Sequence, residues 1–187
     1  MKQAVLMHGN GGNDQDYFWF GDTKQYLEQY DYKVYWPLLP DTNASPNLAE
    51  TVEHAAKHAP LTDGDIAIGH SSGCPAILYW LQTATFHLKQ VILVAGLYSE
   101  DIVNDYNRHM VPADGFDFKN IRNKADEFIL INSDNDPWGC NDKQARPVAD
   151  ALGAKFILTV GEGHMGSLTF SQPMPEFPLL KSLLNVS

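Results

Sequence analysis

Three segments of this chain carry residue types that together could make a nucleophile, an acid and a base. They are Gly69-His70-Ser71-Ser72-Gly73, Asn132-Ser133-Asp134-Asn135-Asp136-Pro137 and Gly161-Glu162-Gly163-His164-Met165-Gly166. A serine hydroxyl is a weak nucleophile near neutrality. It attacks a carbonyl only when a base takes its proton and an acid orients that base. The first segment fits G-x-S-x-G, with an apolar run before it and an amphipathic one after it. In that setting the glycines permit a tight strand-to-helix turn that lifts the serine Oγ above the carboxyl edge of a sheet. Glycines would also explain such a turn with no chemistry in it. What singles out Ser71 is that the other two segments follow later apolar runs, in the chain order serine, acid, histidine that this turn requires.

His164 stands among three glycines and two residues from a carboxylate, a poor place for a packed core residue and a suitable one for a base. Of the other histidines, His54, His58 and His87 are expected on solvated helix faces, and His109 falls in the long interval 97–126. His8 and His70 stand in the two turns nearest the serine, where they can shape a pocket but are wrongly placed in the chain to be the base. Asp136 is preferred over Asp134 as the acid, because the Asp-Pro step pins the chain just after it. Asp134 would otherwise serve turn hydrogen bonding, and Asp142 would be a solvated or capping residue.

A tetrahedral intermediate needs two convergent N–H donors. The residue after the nucleophile, Ser72, supplies one, and a loop after an adjacent strand supplies the other. Asn10 or Gly11 can do so from the first turn, Met7-His8-Gly9-Asn10-Gly11-Gly12-Asn13-Asp14. That turn has neither G-x-G-x-x-G nor G-K-[ST], so a nucleotide loop is not expected. Phe18, Trp19, Phe20, Tyr98 and Trp138 fall near the same edge. Of these, Trp19, Tyr98 and Trp138 are the substrate-pocket candidates, as an apolar wall for a small acyl or aryl group, although each could equally be core.

The elements that must hold these residues are legible as short apolar runs alternating with longer segments of helical period. The runs begin at Ala4, Lys33, Ile66, Gln90, Phe128 and Phe156, and several are apolar at consecutive positions, as strands buried on both faces are. Helices are expected near 21–30, 47–58, 72–84, 141–152 and 175–185. Pro75 falls in the first turn of the third, where its missing N–H costs little. The pattern predicts an α/β fold, a doubly wound, mostly parallel six-stranded sheet with helices on both faces, as one domain over 1–187. The interval 97–126 is too short for a large lid.

An apolar share of 44% with 19% charged residues marks a folded domain rather than a disordered chain. Only 13 Lys and Arg against a net charge of −10 oppose binding to nucleic acid or anionic membrane surfaces. No run approaches the roughly 18 apolar residues of a membrane span, and no signal-type segment opens the chain. Two cysteines, Cys74 and Cys140, make no disulfide framework and lack metal-ligand spacing. A cytoplasmic location with reduced thiols is expected, and the oligomeric state is left open.

Taken together, "HGNGGND", "LPD" at 39–41, "IGHSSG", "SDNDP", "GEGHMG" and "LLKSLL" cover nearly the whole chain. The set resembles the small single-domain serine hydrolases of the α/β-hydrolase superfamily typified by retinoblastoma-binding protein nine. The resemblance implies Ser71 as nucleophile, Asp136 as acid and His164 as base, with the backbone amides of Asn10 and Ser72 at the oxyanion. It implies a minimal fold with no metal or organic cofactor, acting on a small-molecule acyl substrate that is an ester, thioester or amide. Binding of a retinoblastoma-type protein depends on L-x-C-x-E, which neither cysteine fits. Two other readings stand beside hydrolysis: a catalytically idle scaffold that binds proteins, and acyl transfer to an acceptor other than water.

Overall fold

The apolar runs become six strands: β1 Lys2–Met7, β2 Tyr32–Tyr35, β3 Ile66–His70, β4 Gln90–Val94, β5 Phe128–Ser133 and β6 Lys155–Thr159. The computed structural model describes residues 2–11, 17–40, 42, 44–99 and 107–186. Gly12, Asn13 and Asp14 of the first turn, Asp41 of "LPD" and Asp105 of the long interval lie outside the described residues. All five strand pairs are parallel, in the order β2-β1-β3-β4-β5-β6. The register sets Leu6 beside Ile68, Ile68 beside Ile92 and Ile92 beside Ile129, so the middle strands form a continuous apolar layer. β3, β4 and β5 are buried along their whole length, which is why they read as unbroken apolar runs. β6 departs from that expectation: as an edge strand it leaves Leu158 exposed, with Val160 just beyond it.

Among the described residues, α1 Phe20–Glu28, α2 Leu48–His58, α3 Gly73–Thr83, α4 Phe118–Ile121 and α5 Asp142–Leu152 lie between successive strands, and α6 Pro178–Leu183 follows β6. α2 and α5 start where asparagine oxygens cap them, Asn47 on the amides of Ala49 and Glu50, Asn141 on that of Lys143. Asn141, one residue before the sequence-based candidate Asp142, is therefore the cap. α5 ends in a left-handed Gly153. α4 is a four-residue turn inside the interval 97–126, too short for its period to show in sequence. His87 is not on a helix; it follows α3 and contacts the Asn123 carbonyl and Asp126 Oδ1.

α3 packs so closely on β1 that a Cβ at Gly73 would lie 2.0 Å from the Met7 carbonyl oxygen, so only glycine fits there. From β1 the chain leaves toward β2 on one side, and β3 lies on the other. The turns after β1 and β3 thus flank the point where the winding direction reverses, the place where open α/β sheets form a crevice at their carboxyl ends.

Candidate active site

The β3–α3 turn places Ser71 at φ 54°, a left-handed conformation that costs an L-residue about 1–2 kcal/mol. The conformation persists because its neighbours hold it. Ser71 N–H donates to the Val94 carbonyl at 2.9 Å, and the Ser71 carbonyl accepts from Cys74 N–H at 3.1 Å. Gly9, from the turn after β1, passes close enough that a Cβ there would lie 2.6 Å from Ser71 Cβ and 3.2 Å from Oγ. Ser71 opens onto a cleft of about 450 Å³ that Asn10, Ser72, Trp138 and His164 also line.

On the far side of the sheet, β5 and β6 run side by side with Ser133 opposite Thr159. The last residue of β5 and the three that follow it then hold four consecutive residues after β6. Asp134 Oδ1 accepts Gly161 N–H at 2.9 Å, Ser133 Oγ accepts Glu162 N–H at 3.0 Å, and Asn135 Oδ1 accepts Gly163 N–H at 2.8 Å. Asp136 Oδ2 meets His164 Nδ1 at 2.7 Å, with both side chains buried. Asp136 Oδ1 accepts Trp138 N–H at 2.8 Å, so both carboxylate oxygens are engaged by donors. Asp134 is thus spent on the backbone of the next loop. Sequence reading of "SDND" found its acids but missed Ser133 and Asn135, whose roles exist only once β5 and β6 are in register.

The backbone of His164 is fixed as firmly as its ring. Its N–H donates to Gln172 Oε1 at 2.9 Å, and its carbonyl lies 2.8 Å from His70 Nε2. A carbonyl only accepts, so His70 Nε2 carries the proton and His70 Nδ1 accepts the Tyr17 hydroxyl at 2.9 Å. Tyr17 Oη in turn accepts Gly9 N–H at 3.2 Å. Complete burial, reinforced by neighbouring His164, brings the His70 pKa down to about 3, so this histidine is a neutral strut. Burial also raises Tyr17. His8 plays the matching part at the first turn: its Nδ1 donates to the Gly9 carbonyl at 2.8 Å, and its Nε2 accepts Leu39 N–H at 2.9 Å. Burial lowers His8 as well.

In the first turn Gly9 N–H is taken by Tyr17, and Gly11 N–H donates to the Thr42 carbonyl at 3.1 Å. Among the described residues, the backbone amides of Asn10 and Ser72 donate to no protein acceptor. The two residues are joined through their side chains, Ser72 Oγ donating to Asn10 Oδ1 at 2.7 Å.

Of the pocket candidates, Trp138 lines the cleft, and so does Phe18. Trp19 and Tyr98 do not: both are core residues, Trp19 fully buried with its indole N–H donating to the Met165 carbonyl at 2.9 Å, Tyr98 packed near the Cys74 thiol. Phe20 is likewise core. Leu97, Leu168 and Tyr17 complete the apolar lining and carried no motif that could have marked them.

Asp136, Cys140 and His164 bring potential metal-ligand atoms within 4.8 Å of one another. An ion there would have to break the Asp136–His164 hydrogen bond. It would also have to deprotonate a thiol whose pKa burial, and then Asp136, push upward. Both costs weigh against a resident metal at these three residues.

A family model described as "Serine hydrolase" matches residues 4–181. No curated protein sequence matches. Among solved structures, the ydeN gene product of B. subtilis superposes with a TM-score of 0.83 at 21% identity, covering 97% of this chain and 96% of that one. A putative YdeN-like hydrolase from Pectobacterium atrosepticum gives 0.63 at 18% identity, over 92% and 84% of the two chains. A monoacylglycerol lipase from Paleococcus ferrophilus gives 0.61 at 14% identity, over 87% and 85%. Likenesses at this level of identity establish the α/β-hydrolase fold.

Proposed function

The chain belongs to the serine hydrolase family, and from that premise we propose that it cleaves small acyl compounds through Ser71, His164 and Asp136. The observation that carries the reading is the buried 2.7 Å contact between His164 Nδ1 and Asp136, in the cleft onto which the strained Ser71 opens. Asp136 keeps the imidazole proton on Nδ1, which leaves Nε2 unprotonated and able to take a proton from Ser71 Oγ. As Oγ attacks the carbonyl carbon, negative charge gathers on the carbonyl oxygen. The amides of Asn10 and Ser72, which donate to no protein acceptor among the described residues, are the donors we assign to it. His164 then passes its proton to the leaving group as the bond to the carbonyl carbon breaks. Water, deprotonated by His164, resolves the acyl-enzyme and restores Ser71.

Ester, thioester and amide substrates share these steps, and a partly open cleft suits a small substrate. A chromogenic aryl acetate tests the reading. The expected result is a burst of released phenol equal to the enzyme present, followed by slower turnover. Both should vanish in Ser71→Ala with the fold intact. A Ser71→Ala protein that keeps the burst would remove the serine from the reaction.

A further inference from the structure

The cleft is apolar on the side where a leaving group must depart. Three of the large apolar side chains exposed among the described residues gather there: Leu168 at 82%, Trp138 at 47% and Phe170 at 45%. Trp138 and Leu168 line the cleft directly, and Phe170 packs edge-on against the Trp138 indole at 5.2 Å between ring centroids. The same indole lies 6.5 Å from the His164 ring. Such a cluster of solvated apolar surface at a site mouth marks a binding surface rather than ordinary surface composition. The Trp138 backbone is anchored at the site, because its N–H is tied to the Asp136 carboxylate that holds His164. Among the described residues lining the cleft there is no Asp, Glu, Lys or Arg.

Proton transfer decides which half of a substrate reaches this ledge. In the hydrolysis proposed above, His164 protonates the leaving oxygen, so the alcohol portion of an ester sits beside His164 and its substituent extends over the neighbouring surface. We propose that Trp138, Leu168 and Phe170 form a leaving-group subsite for an uncharged aromatic alcohol, and that esters carrying their bulk on the alcohol side are the preferred class. An indole face with an edge-on ring behind it suits a flat arene, which gains from ring–ring geometry beyond its buried area. The absence of charged lining residues gives an ionic group on the alcohol nothing to pair with.

This inference rests on the Ser71 mechanism, and its test keeps the two apart. Benzyl acetate and methyl acetate have leaving alcohols of closely similar acidity and differ in the ring. Methyl phenylacetate carries the ring on the acyl side instead. The expected kcat/KM for benzyl acetate exceeds that for methyl acetate by about 10- to 100-fold, while moving the ring to the acyl side gains less than about threefold. Trp138→Ala keeps the backbone N–H to Asp136 and should cut the benzyl-to-methyl ratio about tenfold, whereas Trp138→Phe should retain most of it. Equal values for benzyl and methyl acetates, or a larger gain from the acyl-side ring, would overturn the subsite. So would failure to turn over any of the three esters by protein whose Ser71 still reacts with a fluorophosphonate. Loss of that reaction in folded wild-type protein would instead remove the nucleophile.

Discussion

Replacing Asp136 by Asn changes one atom's chemistry and keeps the shape, so its effect can be worked out from two hydrogen bonds. Asp136 Oδ1 accepts Trp138 N–H at 2.8 Å, and Oδ2 faces His164 Nδ1 at 2.7 Å. Both partners donate to a carboxylate. A carboxamide has only one oxygen, and turning it toward Trp138 N–H points its NH₂ at His164 Nδ1. That nitrogen must then accept, and the imidazole proton moves to Nε2, the nitrogen that the proposed mechanism needs unprotonated. Turning the amide the other way sets its NH₂ against the Trp138 N–H. The first orientation satisfies every group, so Asp136→Asn should fold with the wrong tautomer and no base. Such a tautomer swap costs about 10⁴-fold in kcat, or roughly 5.5 kcal/mol of barrier. Asp134 provides the internal control: its Oδ1 accepts Gly161 N–H at 2.9 Å, and a carboxamide oxygen can do the same. Asp134→Asn should stay within about threefold of wild type by that equivalence. The assay is steady-state hydrolysis of an aryl acetate by both variants, with circular dichroism to check folding. A loss below tenfold in Asp136→Asn, or an equal loss in Asp134→Asn, would refute the assignment of the acid.

Ser71→Gly should be more stable than Ser71→Ala by about 0.5–1 kcal/mol, the left-handed strain at φ 54° less the extra chain entropy of glycine. Urea unfolding of the two inactive variants measures it, and a less stable glycine variant would show the elbow to be unstrained. Ser72→Ala removes the 2.7 Å bond to Asn10 that joins the two free amides. It should lower kcat about tenfold with KM little changed, since a fully lost donor costs about 10²- to 10³-fold. Ser72→Thr should restore most of it, and an unchanged kcat in Ser72→Ala would count against the bond. His70 has a folded pKa of about 3 against its ordinary 6.5, so the unfolded chain takes the proton first. Its contribution is therefore complete above pH 6.5 and lost as pH falls toward 3. At pH 4.5 the two-unit gap costs about 2.7 kcal/mol, and His8, also depressed, adds loss of the same sign. Urea unfolding at pH 7.5 and 4.5 reads the loss, and long-range ¹⁵N NMR should find His70 neutral and protonated on Nε2 at pH 5. A charged His70 there would contradict the strut.

The strands were legible because burial on both faces leaves no room for alternation: Gln90–Val94 and Phe128–Ile131 could be little else. That Asp136 would meet His164, and that His164 would share a cleft with Ser71, could be anticipated because the order of the three segments along the chain mirrors strand order. Aromatic residues could not be assigned from type, since an indole satisfies a core or a cleft equally. Trp19 found the Met165 carbonyl inside, while Trp138, beside Asp136, stayed in the open. The struts were hidden for another reason. His8, His70, Ser133 and Asn135 act only across tertiary distances, on Leu39, His164, Glu162 and Gly163, and nothing local marks them.

Intact-protein mass after treatment with a fluorophosphonate tests the central claim most directly. One phosphonyl adduct is expected, on the peptide carrying Ser71, absent in folded Ser71→Ala. An unmodified wild-type protein, or an adduct that persists in Ser71→Ala, would contradict it.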